Sequence, residues 1–281
     1  LHNETILRLG CFMTVLLGMM LWEWRAPRRN LTLARIRRWP ANLGIIVVDS
    51  FVLRFVFPIL AVGAAGLAEV NGWGLLHWLN VPFWLAVGAT LLLLDLAIYA
   101  QHVVFHKVPA LWRLHRMHHT DLDFDVTTAL RFHPLEMVLS MLIKLALVVL
   151  LGAPPVAVML FEVVLNATAM FNHGNVSLPN GLDRRLRWVL VTPDMHRVHH
   201  SVRREETDSN FGFNLPWWDR WFGTYQDQPH DGHTGMTIGL ENFRDERATG
   251  LYGLLVQPFL NVEASSRRHD EREAGSQPQE D

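Results

Sequence analysis

Residues 82–119 read Pro82-Phe-Trp-Leu-Ala-Val-Gly-Ala-Thr-Leu-Leu-Leu-Leu-Asp-Leu-Ala-Ile-Tyr-Ala-Gln-His102-Val-Val-Phe-His106-Lys-Val-Pro-Ala-Leu-Trp-Arg-Leu-His115-Arg-Met-His118-His119. Pro82 to Ala100 is apolar over roughly the 20 residues a spanning helix needs, and its helical pattern runs on toward His106. His102 and His106 stand at i and i+4, on one helix face. His115, His118 and His119 stand at i, i+3 and i+4, again on one face. The stretch therefore reads as a membrane helix whose end carries imidazoles, followed by a second histidine-bearing helix in a polar connection over residues 107–134.

The rest of the chain fits a membrane setting. Its 281 residues are 50% hydrophobic and 19% charged, with mean hydropathy +0.13. An ordinary soluble domain carries about 25% charged residues. The formal net charge of −2 excludes a basic footprint over the whole chain, and with it general nucleic-acid binding. A single cysteine, Cys11, makes neither an intrachain disulfide nor a thiolate metal site. Further apolar segments cover Ile6 to Trp24, Leu43 to Ala68, Leu135 to Ala153 and Pro155 to Phe171. Leu43 to Ala68 contains Asp49 and Arg54, for which a pair facing other helices is expected. Pro154-Pro155 divides the last two segments, because proline cannot continue a helix, and predicts a helical hairpin. Lys144 near the hairpin's middle is expected to snorkel to an interface if the hairpin is shallow. No small-residue cleavage site follows the first segment, and Trp22-Glu23-Trp24-Arg25 reads as an interfacial anchor.

Positive charge sets the expected orientation. Arg25, Arg28, Arg29, Arg35, Arg37 and Arg38 lie between the first two segments, whereas residues 69–81 contain no lysine or arginine. Arginines return after the third segment and after the hairpin. The histidine clusters share that side, which is read as cytoplasmic. The expected fold is all-α: an integral membrane bundle of about three spanning helices plus a helical hairpin, with a cytoplasmic helical cap carrying a His-rich dimetal site. Residues 1–80 would supply N-terminal membrane helices and a basic loop, residues 81–250 the catalytic region, and residues 263–281 a disordered polar tail.

Fifteen histidines make up the most informative feature of the chain. His196, His199 and His200 repeat the i, i+3, i+4 spacing, within a helix expected over residues 194–202, and His173 ends the hairpin. Imidazoles on one helix face converge on a metal without strain, and they suit Fe, Zn, Cu and Ni. His102, His106, His115, His118, His119, His173, His196, His199 and His200 exceed the needs of one ion, so two ions are expected. His133, before Pro134, is a candidate extra ligand or a supporting or capping group. Metal-bound imidazoles usually give their other N–H to a carboxylate or carbonyl. Asp95, Asp121, Asp123, Asp125, Glu136, Asp194 and Asp208 are candidates for that role, with Asp194 favoured for its place two residues before His196.

These boxes, with their neighbours, resemble the fatty acid hydroxylase superfamily of sterol desaturases and sphingolipid hydroxylases. Ala129-Leu-Arg-Phe-His133-Pro-Leu-Glu136, Asn172-His173-Gly-Asn175, Thr192-Pro-Asp-Met-His196, Asn210-Phe-Gly-Phe-Asn214 and Trp218-Asp-Arg-Trp-Phe-Gly-Thr-Tyr225 carry the likeness, in order, over roughly residues 85–240. The resemblance implies two iron ions per chain and O2-dependent oxidation of an unactivated lipid C–H bond. The product would be an alcohol or an alkene, of a fatty acyl chain or a sterol. It also implies that Asn172 or Asn175 assists through water on the side where His173 lacks a histidine partner. The chain has no flavin, haem or ferredoxin motif. An external electron donor is therefore expected, a separate cytochrome b5-like protein or a ferredoxin with its reductase, in a bacterial inner membrane. The competing readings are a non-catalytic metal-binding membrane protein and a zinc-dependent hydrolase. The hydrolase would place a glutamate beside the boxes as general base, and neither His-x-x-His-His box contains one.

Overall fold

The computed structural model describes residues 2–261, and the polar tail expected over 263–281 lies outside them. The described chain is helical: α1 His2–Arg25, α2 Arg35–Val56, α3 Ala61–Asn71, α4 Leu75–Trp78, α5 Phe83–Lys107, α6 Pro109–His119, α7 Pro134–Leu151 and α8 Pro155–Asn172 come first. Shorter helices follow: α9 Asn180–Leu186, α10 Pro193–His199, α11 Arg204–Thr207, α12 Trp217–Trp221, α13 Gly232–Gly235 and α14 Leu251–Val256. Five stretches are long and apolar enough to cross a membrane: Ile6–Arg25, Arg35–Trp78, Phe83–Lys107, Pro134–Leu151 and Pro155–Asn172. The protein is an integral membrane protein, and large apolar side chains are exposed along its long helices, as at Phe51, Phe55, Trp84 and Leu150.

The segment expected as one helix over Leu43 to Ala68 is broken into α2 and α3. Pro58 is the cause, since the residue before a proline is pushed out of the α region. Phe57 accordingly sits at φ −114°, ψ 107°. The two halves follow α7 in turn. Asp49 and Leu53 share a cavity wall with Met137 and Met141, and Ala61, Ala64 and Ala65 pack with Val148 and Ala153.

The expected hairpin of α7 and α8 is splayed. The turn itself forms as predicted, with Gly152 at φ 66° before Pro154-Pro155. The two helices, however, pack on α3 rather than along one another. Buried Ala61, Ala64, Ala65 and Ala68 give α3 a small-residue face that admits close approach on both sides. At the closed end Gly74, at φ 97°, meets Gly152 backbone to backbone, so that a Cβ on Gly74 would lie 2.0 Å from the Gly152 nitrogen. Lys144 does not snorkel. It pairs at 2.8 Å with Glu162 of α8, which also binds Arg8 of α1 at 2.7 Å. Asp49 and Arg54 make no pair with each other among the described residues, although both line one cavity.

Beyond the long helices lies a polar cap. Arg38 at the start of α2 is fully buried and binds Asp121 through Nε at 2.6 Å and Asp125 through Nη1 at 2.8 Å. Asn42, Thr128 and Arg131 complete this network. The folded cap continues past residue 250: Leu254 of α14 packs with Ala41, Ile45 and Met117.

Candidate metal centre

A single extended residue, Val108, joins α5 to α6. Pro109 forces that break and then serves as the first residue of α6, where its missing N–H costs nothing. The tight reversal folds the α6 imidazoles back onto His102 and His106 at the end of α5. From the other side, α8 delivers His173 at its C-cap. Thr192 caps α10 through its Oγ1, and that short helix presents His196, His199 and His200.

The nine histidines form two buried groups. His102, His106, His115, His119 and His199 make one, and His118, His173, His196 and His200 the other. Within each group one nitrogen of every ring lies within 4.8 Å of those of the others. The Nε2 atoms of His102 and His115 are 3.1 Å apart, those of His115 and His119 3.3 Å, those of His118 and His173 3.1 Å, and those of His173 and His196 3.2 Å. A metal–nitrogen bond of about 2.1 Å sets neighbouring ligands about 3.0 Å apart in an octahedron and about 3.4 Å apart in a tetrahedron.

The outward nitrogens explain this convergence. His102 Nδ1 donates to the Phe211 carbonyl at 2.7 Å, His118 to Arg131 at 3.2 Å, His173 to Ala169 at 2.8 Å and His199 to Ser209 at 2.7 Å. A nitrogen facing a carbonyl is the N–H of a neutral ring, so the opposite Nε2 is a bare lone pair. His118 and His173 thus aim two lone pairs at each other across 3.1 Å, which is repulsive unless a cation lies between them. Nε2 of His106, His199 and His200 is buried without any partner. Burial, reinforced by the neighbouring imidazoles, pushes His118, His119, His196, His199 and His200 well below their ordinary pKa. Burial brings His115 and His173 to about 3. All are therefore neutral near pH 7, the form that binds a metal. The donor set fits two metal ions of the imidazole-preferring class.

Of the candidate carboxylates, Glu136 and Asp208 reach these rings. Glu136 Oε1 accepts from His115 Nδ1 at 2.7 Å, and Asp208 Oδ1 lies 3.4 Å from His106 Nδ1. Asp194, the favoured candidate, does not. Its carboxylate is taken by Arg28 at 3.0 Å and by Arg197, with His233 at 3.6 Å. Asp121 and Asp125 serve Arg38, Asp123 caps the Thr32 and Leu33 amides, and Asp95 binds Trp218 Nε1 at 2.7 Å. His133 stands outside both groups, with no nitrogen left for a metal. It caps α7 by accepting from the Leu135 amide, and its Nε2 binds the Leu255 carbonyl. Asn175 binds the Arg29 backbone on both sides of its amide and so does not assist the centre. Asn172 donates to the Phe213 carbonyl at 3.0 Å and keeps a buried, unpartnered Oδ1.

Sequence reasoning missed the carbonyl supports, because a backbone oxygen has no residue-type signal. Asp219 is the one side chain that could have been found. Its two oxygens accept the Phe211 and Gly212 amides at 2.8 and 2.9 Å, aiming the Phe211 carbonyl at His102. Burial raises its carboxyl to about 6.

Two cavities reach the five-histidine group. One, of about 360 Å³, lies among the long helices and is walled at its inner end by His102, His115 and Phe213. The other, of about 710 Å³, opens in the polar cap and touches His106 and Trp112. The Trp112 ring lies 4.8 Å from that of His106 and 5.4 Å from that of His119.

The site is thus a buried, histidine-only cluster in two groups at the end of a bundle of long apolar helices. Residues 87–224 match the fatty acid hydroxylase family. The chain is 29% identical over 190 residues to the ornithine lipid hydroxylase of Rhizobium tropici, covering 68% of this chain and 53% of that protein. It is 31% identical over 154 residues to the alkylglycerol monooxygenase of Xenopus tropicalis, covering 55% and 33%. It is 25% identical over 210 residues to the cholesterol 25-hydroxylase of Rattus norvegicus, covering 69% and 63%. The chain thus spans between a third and two thirds of these relatives' lengths. No solved structure matches it significantly.

Proposed function

We propose that the protein is a membrane-bound, O2-dependent hydroxylase of a lipid C–H bond, with two iron ions held by the nine histidines. The observation that carries this reading is the division of these imidazoles into groups of five and four, with bare Nε2 atoms converging inside each. Iron bound there would supply O2 activation and oxidation of an unactivated carbon, giving an alcohol or, after a second hydrogen loss, an alkene.

The chain's own residues supply position and insulation. Glu136, Asp208 and the carbonyls of Phe211, Arg131, Ala169 and Ser209 orient six of the nine rings: His115, His106, His102, His118, His173 and His199. Asn172, next to His173, keeps a buried, unpartnered Oδ1, and a water held by it would complete the donor set of the four-histidine group. The cavity between the helices brings apolar substrate to His102 and His115 while Phe105, Phe132 and Phe213 exclude water. The polar cleft at Trp112 would offer the electron-transfer partner a short route to His106 and His119. The arginine distribution supports a cytoplasmic position for this cap, and a bacterial inner membrane is the proposed location.

A zinc hydrolase fits less well. Glu136 is the carboxylate nearest the five-histidine group, and it is bound to the back of His115 rather than set on the metal face as a general base.

The test is expression in a lipid-synthesising host under isotopically labelled dioxygen, with lipids compared by mass spectrometry against His199→Ala. A labelled hydroxylated lipid, or an alkene-bearing product, formed only by the parent protein is expected. Identical lipid profiles from both, in cells where the parent protein holds its iron, would overturn the reading.

A further inference from the structure

The cavity between the helices is not a plain hydrocarbon slot. Its inner end touches His102 and His115, but its outer wall carries Arg8, Asp49, Arg54, Lys144 and Glu162. Charged side chains at this depth are costly and are expected to be paired. Glu162, itself buried, is already shared by Arg8 and Lys144. Arg54 has no acidic partner among the described residues, although it lies on the cavity wall at the lipid-facing side of α2. Asp49, 3% exposed, keeps an unpartnered Oδ1 and makes no bond to Arg54. Glu136, the third acid of the lining, is bound to His115 at the inner end, so Arg54 stands at the rim with no acid facing it. A hydrocarbon tail or a sterol nucleus would leave Arg54 unsatisfied.

We propose that this cavity holds an amphiphile by an anionic group, a carboxylate or a phosphate, seated between Arg54, Arg8 and Lys144. Its alkyl portion runs inward to His102 and His115. Eight residues of α7 separate Glu136, which holds His115, from Lys144, so the anchor lies roughly 12 Å from the centre. This deepens the reading of the protein as a lipid hydroxylase and rests on it for the direction of the chain. It makes Arg54 a specificity-determining residue: an acidic amphiphile is oriented by its head, and the carbon presented to the histidines is set by distance from that head. Arg54 is a positioning residue rather than a catalytic one.

The test is binding in phosphatidylcholine nanodiscs, scored as competition against radiolabelled dodecanoate and corrected for partition into empty nanodiscs. Competitors are unlabelled dodecanoate, dodecyl phosphate, dodecanol and dodecyltrimethylammonium. The full chain is expected to prefer one or both acids over the alcohol by at least tenfold, and the carboxylate and phosphate arms say which acid it takes. Arg54→Gln should bring acid binding down to the level of the alcohol, and Lys144→Met should weaken acid binding without touching that of the alcohol. Metal content is measured on the same samples, because a protein that holds no iron yet keeps its acid preference would refute the oxidation reading and leave the anchor standing. Equal binding of acid and alcohol by the parent chain, a preference for the ammonium probe, or an acid preference that survives Arg54→Gln would overturn the proposal.

Discussion

Glu136→Gln separates holding a metal from holding the fold. Glu136 is buried and gives one oxygen to His115 Nδ1 at 2.7 Å, while its other oxygen has no partner. That distance is typical of a charge-assisted hydrogen bond, which makes the opposite Nε2 a better donor. Glutamine keeps the shape and an acceptor but loses the charge. Loss of such a supporting carboxylate typically weakens metal binding about 10- to 100-fold, or about 1.4–2.8 kcal/mol. Only the five-histidine group should feel it, because the supports of the four-histidine group include carbonyls and no carboxylate. A chelator competition on the metal-free protein should therefore show one affinity unchanged and one reduced. The metal-free fold should be no less stable, since a half-satisfied buried carboxylate is itself unfavourable. Unchanged affinity at both groups, or equal loss at both, would refute the assignment of Glu136 to one of two separate centres.

Other outcomes follow from the cap and the imidazoles. Arg38→Met strands the buried carboxylates of Asp121 and Asp125 and should cost about 3–5 kcal/mol, read as a fall in thermal midpoint in detergent. A midpoint within experimental error of the parent would mean the network does not hold α2 to the cap. Acid should destabilise the metal-free protein. Below the ordinary histidine value of 6.5 the unfolded chain takes up protons, whereas folded His115 and His173, pushed down to about 3 by burial, stay neutral. Stability therefore falls as pH falls, by about 1.4 kcal/mol per pH unit for each of these residues between the two values. Thermal midpoints that stay level or rise as the pH drops through this window would contradict the burial of these rings as neutral groups.

Much of the site was legible because its signal is local. The i, i+3 and i+4 spacings place His115, His118 and His119 on one helix face, and the same holds for His196, His199 and His200. Pro109 and Pro193 mark where those helices begin. The split into five and four was not legible. His199 crosses to the α5 rings while His196 and His200 turn to His173, and only the packing of α10 against α8 decides that. Non-local partners were the main loss. Asp194 is close to His196 in sequence, but Arg28, distant in sequence, and Arg197 have stronger claims on its charge. Glu162 gave no hint that it would neutralise Lys144, since it does not lie near it in the chain. The break between α2 and α3 was written in Pro58, and apolar continuity masked it. The small-residue face of α3, which splays α7 from α8, becomes meaningful only once two helices are known to press on it.

The central claim is two metal ions in two imidazole groups, and metal content tests it most directly. The full chain, purified in detergent after iron-supplemented expression, should carry close to two iron ions per chain. His118→Ala should lose the ion of the four-histidine group and His199→Ala that of the five-histidine group, each leaving metal at the other. One ion per chain, or a metal content that neither substitution changes, would contradict the account.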